Sequence, residues 1–202
     1  MNGLGEKRVA ASPGRFRFPR RLLAAVVAVC ALAGFASLAS AQGVKLTDAQ
    51  RKALILYNIA KFTEWPKSAF ADDTAPLVIG VLGRDPFGKD IEILKGKSIK
   101  RRPLVVTYFS TAEELTTCHL LFISKSEMEN LPQILKRLEN SSILTTAEAQ
   151  GFIEQEGIIN LVPERQPNGT ETVGFEINLA AAERANLKLD TQLLRLAKKV
   201  KS

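Results

Sequence analysis

Short, almost uninterrupted apolar runs spaced a helix length apart constrain this chain more than any other feature. Residues 77–82, 104–109 and 120–123 are apolar nearly throughout, 142–145 is a shorter run, and 87–94, 112–116 and 127–139 lie between them as helical intervals. A strand that is apolar on both faces must be covered on both, and this is the pattern of a parallel sheet packed between helices. The alternation predicts a doubly wound α/β domain. Two later runs, 158–163 and 172–177, flank Pro167-Asn168-Gly169 and read as an antiparallel hairpin added to the sheet. The expected architecture is a three-layer α/β sandwich: a mostly parallel doubly wound sheet with a C-terminal antiparallel hairpin and flanking helices.

Helix signals bracket this core. Thr47-Asp48-Ala49-Gln50 has the spacing of a capping box, so a helix should follow, apolar nearly all round over 53–62 and ended by Pro66 after Trp65. Ser110-Thr111-Ala112-Glu113 and Ser126 with Glu129 read as caps of two crossover helices. Two helices should close the chain. The last, over 190–201, would set Leu189, Leu193, Leu196 and Val200 toward the core, with Arg195, Lys198, Lys199 and Lys201 outside. Solvated lysines are the plain reading of that polar face, and a partner-binding face is the alternative.

Net charge has to be read by region. The chain of 202 residues has 28 basic and 21 acidic residues, an excess that would suit nucleic acid. Yet Lys7, Arg8, Arg15, Arg17, Arg20 and Arg21 precede an apolar stretch, 22–35, and a small-x-small site, Ala39-Ser40-Ala41. This is the layout of a secretory leader. Residues 1–41 are expected to be cleaved, with the mature chain starting at Gln42 and 42–202 forming a single domain. Cys30 sits mid-core after Val29 and lacks the context for lipidation, and Arg20-Arg21 lacks that of twin-arginine export. Without the leader the balance is nearly even, so no nucleic-acid partner is expected.

The mature region offers little chemistry. Its one thiol, Cys118, reads as a buried small hydrophobe or as an exposed thiol able to cross-link a dimer. The only histidine, His119, adjoins it and should point to the opposite face, so the two cannot act as nucleophile and base. One His and one Cys also exclude a zinc site of the usual kind, and no metal or cofactor is expected. Gly83-Arg84-Asp85-Pro86-Phe87-Gly88-Lys89 matches a phosphate-binding loop, but Asp90 stands where a Ser or Thr should hold magnesium and Pro86 removes an amide. It reads better as a turn with Asp85 as cap and Pro86 opening a helix. Ligands of open parallel sheets bind at the carboxyl ends of strands. There the sequence offers Arg84, Asp85, Ser124, Lys125, Thr145 and Thr146, a set suited to a small anionic ligand or, alternatively, to capping; no catalytic residue is assigned.

Several segments resemble the YfiR family of secreted bacterial proteins. They are Leu56-Tyr57-Asn58-Ile59-Ala60-Lys61-Phe62-Thr63-Glu64-Trp65-Pro66; Val78-Ile79-Gly80-Val81-Leu82-Gly83 with Asp85-Pro86-Phe87-Gly88; Cys118-His119-Leu120-Leu121-Phe122-Ile123-Ser124; and Phe175-Glu176-Ile177-Asn178-Leu179-Ala180-Ala181-Ala182 with Gln192-Leu193-Leu194-Arg195-Leu196-Ala197. The resemblance spans residues 49–200. It implies a periplasmic, non-catalytic regulator that binds the periplasmic domain of an inner-membrane diguanylate cyclase, or a related sensor, and represses cyclic-di-GMP synthesis. It further implies homodimers and sequestration by an outer-membrane lipoprotein. Partner contacts are then sought at Trp65, Phe70, Arg195, Lys198 and Lys199, Trp65 having core burial as its other reading. A small-ligand-binding sensor module is the competing function.

Overall fold

The capping box closes as its spacing predicts: Thr47 Oγ1 accepts the Gln50 amide at 3.0 Å, and Gln50 Oε1 accepts the Thr47 amide at 3.1 Å. It opens helix α1, Asp48–Lys61, which buries Ala53, Leu56, Ile59 and Ala60. The computed structural model describes residues 46–167 and 169–202. The expected leader over 1–41, the start at Gln42, Cys30 and the Asn168 position of the hairpin turn lie outside the described residues.

Among the described residues, eight strands form one sheet in the order β10-β8-β7-β6-β5-β2-β4-β3. These are β2 (Leu77–Leu82), β3 (Ser98–Ile99), β4 (Arg102–Phe109), β5 (Leu120–Ile123), β6 (Leu144–Ala147), β7 (Ile159–Arg165), β8 (Glu171–Asn178) and β10 (Lys199–Lys201). The block β4-β2-β5-β6-β7 is parallel throughout, while β7 with β8 and β3 with β4 are antiparallel. A separate ribbon pairs β1 (Thr63–Glu64) with β9 (Lys188–Leu189). The expected three-layer sandwich is the one observed. Every residue of β2, β5 and β6 is buried, which is why 77–82 and 120–123 read as continuous apolar runs, while β6 buries two threonines, Thr145 and Thr146.

The helices cover the sheet on both faces. One core gathers α1, the 3-10 helix Gly88–Leu94, α3 (Leu179–Arg184) and α4 (Thr191–Leu196) against Ile79, Val81, Leu120 and Phe122. The other places α2 (Leu131–Leu138) and Phe152 against Leu82, Leu121 and Ile123. Both cores belong to one compact unit, Leu46–Ser202.

Four local expectations change. First, α1 stops at Lys61, before Trp65, because Thr63 and Glu64 pair with β9 instead. Second, the crossovers are tighter than α-helices: 112–116 is one 3-10 turn, Ala112–Glu114, and 127–139 is a 3-10 helix, Lys125–Asn130, followed by α2. Neither expected side-chain cap forms there, and Ser126 is used elsewhere. Third, β6 runs on to Ala147, so Thr145 and Thr146 are interior to the strand and not beyond its end. Fourth, the last helix ends at Leu196. Ala197 turns extended, and Lys199–Lys201 joins β8 as a parallel strand. A helix through 201 would leave the outer edge of β8 with unpaired backbone groups, and the strand satisfies them. Of the supposed core stripe only Leu193 is fully buried, whereas Leu196 is 68% and Val200 41% exposed.

Candidate functional site

The chain passes from β2 to β4 on one side and returns to β5 on the other, so the sheet's switch point lies between the carboxyl ends of β2 and β5. Ligands of such sheets bind there, but in this protein the two loops are tied together. Ser124 Oγ donates to the Arg84 carbonyl at 2.5 Å, and the Arg84 amide donates to Ser126 Oγ at 2.9 Å. Gly83 makes the approach possible: its φ is +84°, and a Cβ there would stand 2.5 Å from Ser126 Oγ.

Most of the predicted crevice is thus absorbed by the fold. Asp85 accepts the Phe87 and Gly88 amides at 2.8 and 3.0 Å in the turn ahead of the next helix, which is a 3-10 helix starting at Gly88, so Pro86 does not open it and Asp85 is not its N-cap as expected. Thr145 Oγ1 accepts the Ile158 amide, and Thr146 Oγ1 donates to the Leu121 carbonyl; both threonines are buried. The side chains of Arg84 and Lys125 remain exposed. An open cavity of about 610 Å³ does exist one strand over, between the ends of β5 and β6, lined by Pro86, Phe122, Ser124, Lys125, Glu148 and Gln155 among others. It takes in two of the six predicted residues, Ser124 and Lys125. Glu148 at its rim is neutralised by Lys52 at 2.5 Å. Such a cavity can hold a small polar ligand, but it presents no activated nucleophile or base. Among the described residues no three His, Cys, Asp or Glu side chains converge on a metal position.

The resemblance to a phosphate-binding loop has a structural explanation that its sequence did not reveal. Asp90 reaches back to α1, accepting Thr47 Oγ1–H at 2.8 Å and Gln50 Nε2–H at 3.3 Å. Its carboxylate docks the start of α1 on the sheet and is not free to hold a metal. Lys89 is exposed.

The residues proposed for partner contact fall into two groups. Trp65 and Phe70 surround His119 and belong partly to the core. Trp65 Nε1 donates to the His119 carbonyl at 3.1 Å, and the Phe70 ring stacks on the imidazole at 4.3 Å, with the Arg102 guanidinium 3.7 Å from the centre of the Phe70 ring. His119 Nδ1 accepts the Val78 amide at 3.1 Å, so the ring proton is on Nε2, which donates to the Ala69 carbonyl at 2.9 Å. Burial pushes this histidine below its ordinary value; the Ala69 bond opposes that and the Arg102 charge adds to it. Sequence reasoning missed the assembly because its members lie up to 54 residues apart. The adjacent Cys118 packs into the opposite core, where burial pushes its thiol up to about 12.

The second group sits at the chain's end. Lys198 pairs with Glu164 at 3.2 Å and Lys199 with Glu154 at 2.7 Å. Arg195 is exposed beside Leu196.

Comparison with known proteins then decides the assignment: the sequence profile described as YfiR/HmsC-like matches residues 49–198. The chain belongs to the YfiR/HmsC-like family. This is a regulatory, non-catalytic family, and membership points to a regulator of cyclic-di-GMP signalling. No curated protein matches this family member by sequence. Among solved structures it is similar to a conserved domain protein from Vibrio cholerae O1 biovar El Tor strain N16961, at 12% identity and TM-score 0.44, covering 78% of this chain and 61% of that one.

Proposed function

We propose that this protein is a periplasmic repressor that binds the periplasmic domain of an inner-membrane diguanylate cyclase, or a related sensor, and holds it inactive. Family membership over residues 49–198 is the observation that carries this reading. The way the strand-end hydroxyls and carboxylates are spent on the fold supports binding over catalysis. Repression across a membrane requires the regulator to prefer the inactive arrangement of the sensor, since equal affinity for both states shifts nothing. A homodimer suits this task, because its two-fold symmetry can hold two sensor domains at one spacing. An outer-membrane lipoprotein that sequesters the repressor would relieve it.

The best contact surface is the exposed apolar pair Leu196 and Val200, bordered by Arg195, Lys198 and Lys199. Exposed aliphatic groups ringed by charged ones have the apolar-core and polar-rim arrangement of an interface. Deleting the gene should raise cyclic-di-GMP and surface attachment, and Leu196→Asp should do the same with the protein still folded. Unchanged cyclic-di-GMP in the deletion strain, with no membrane partner recovered by cross-linking, refutes the reading. The β5–β6 cavity favours a second role, small-ligand sensing. A metabolite that raises the melting temperature of the wild type but not of Lys125→Ala would establish it; one at 100 times its dissociation constant adds about 2.7 kcal/mol.

A further inference from the structure

The β3–β4 hairpin concentrates charge as no other described segment does. Lys95, Lys97, Lys100, Arg101 and Arg102 fall within residues 95–102, which contain no acid. Net charge does not explain the cluster, since residues 46–202 hold 21 basic and 20 acidic side chains. Arg102 is committed to the fold, donating to the Asp72 and Ala75 carbonyls and stacking on Phe70. Lys97 lies 5.5 Å over the Tyr57 ring, and Lys100 stands 3.5 Å from Glu64, an exposed pair of little strength. Among the described residues, Lys95 and Arg101 have no carboxylate within ion-pair distance, and both are exposed.

The backbone adds an independent argument. Ile99 pairs with Arg102, so Lys100 and Arg101 form a two-residue turn, and their φ values are +49° and +70°. A turn with both central residues left-handed is the one for which Asn-Gly is the low-strain choice. Here two long cations occupy it. Non-glycine residues held in this region carry strain that clusters at binding sites.

The chemistry of the patch selects the partner. Within 95–102 no large apolar side chain is exposed; among the described residues the exposed ones are Leu196 and Val200 at the other edge and Val105 and Tyr108, which lie farther along β4, away from the tip. Protein interfaces are depleted in lysine and centre on desolvated aromatic or aliphatic anchors. A lysine-rich patch without an anchor fits a surface of many mobile anions. We propose that the hairpin tip, Lys95, Lys97, Lys100 and Arg101, is a docking surface for an anionic phospholipid bilayer. This goes beyond the repressor reading and does not depend on it.

The test uses residues 46–202, which form one compact unit with both cores, so the basic leader cannot contribute. Co-sedimentation is measured with vesicles of phosphatidylglycerol mixed with phosphatidylcholine, and with phosphatidylcholine alone. Binding is expected only to the anionic vesicles and should weaken with salt. Lys100→Asn with Arg101→Gly should weaken it roughly 30-fold while raising the melting temperature by about 2–4 °C, since strain is removed along with the charge. Lys198→Gln with Lys199→Gln removes the same charge at the opposite edge and should change binding less than about 2-fold. Absence of anionic-vesicle binding at low salt overturns the proposal. So does a hairpin variant that binds like the wild type, a melting temperature that falls, or an equal loss in the opposite-edge control. Cyclase repression is scored separately as cyclic-di-GMP, so failure of either idea leaves the other standing.

Discussion

At one edge of the sheet, Lys198, Lys199 and Lys201 meet Glu164, Glu154 and Glu156; at the other, Lys95 and Arg101 meet no carboxylate among the described residues, and Lys100 has Glu64 alone. In sequence the two segments look alike, each a lysine-rich stretch near the end of an element. What separates them is the neighbouring backbone. β10 lies parallel to β8; its Lys199 and Lys201 reach glutamates on the 151–157 loop, and Lys198 just before it reaches Glu164 on β7, so their charge closes an exposed edge. The β3–β4 turn lies at the opposite edge strand, where Glu64 is the one carboxylate paired with it among the described residues, so most of its charge stays available. Cations that protect an edge and cations that await a partner are told apart by where their counter-charges sit.

The hairpin edge is nonetheless tied to the core, through the stack of Arg102 on Phe70 and of Phe70 on His119. Removing that tie should give the largest effect. His119→Ala is expected to cost about 2–4 kcal/mol in urea unfolding, because it opens a cavity and leaves the buried Val78 amide without an acceptor. A loss below about 1 kcal/mol would mean the hairpin edge stands without its anchor.

A smaller effect follows from protonating the same ring. Burial depresses the folded-state value of His119, while the unfolded ring titrates near its ordinary 6.5. The unfolded chain therefore takes up a proton first as pH falls. Stability should be full well above that value and fall as pH drops through and below it. His119→Gln should remove that part of the pH dependence, and an unchanged pH profile would contradict the neutral, Nε2-protonated ring. The β10 edge should show the smallest effect. Lys199→Gln breaks an exposed pair with Glu154 and should cost less than about 1 kcal/mol. A larger loss would reverse the contrast and make the C-terminal lysines principal supports of the fold.

Cys118 sharpens the comparison from the interior. With its thiol pushed up to about 12 by burial, it should label slowly at neutral pH, while a cysteine placed at Lys100 should label at once. Fast labelling of Cys118 in the folded protein would revive the exposed-thiol reading.

How far the sequence could be read depended on the range of the interactions involved. Strands at 77–82 and 120–123 were legible to the residue, because a strand buried on both faces has no choice but to be apolar throughout. The capping box was legible because its two hydrogen bonds join residues three apart. The crevice was legible in place but not in state. Hydroxyls at 124 and 126 and the turn at 83–85 were visible, yet their mutual bonds span about 40 residues and close the site they seemed to offer. In the sequence Asp90 is a mismatch in a nucleotide loop; in the fold it anchors a helix about 40 residues earlier.

The C-terminus marks the boundary most clearly. Alternating apolar and basic residues over 190–201 are compatible with a helix, and Asp190 does cap one, accepting the Gln192 amide at 2.7 Å. Only the open edge of β8 decides that the chain unwinds after Leu196, since backbone donors and acceptors there must be paired whatever the local preference. By itself the sequence determined the layers, the parallel core and the family, all of which rest on apolar periodicity and short motifs. The tertiary structure decided which polar groups remain free, because a hydroxyl, a carboxylate or a lysine is spent or available according to partners that the chain brings close only by folding.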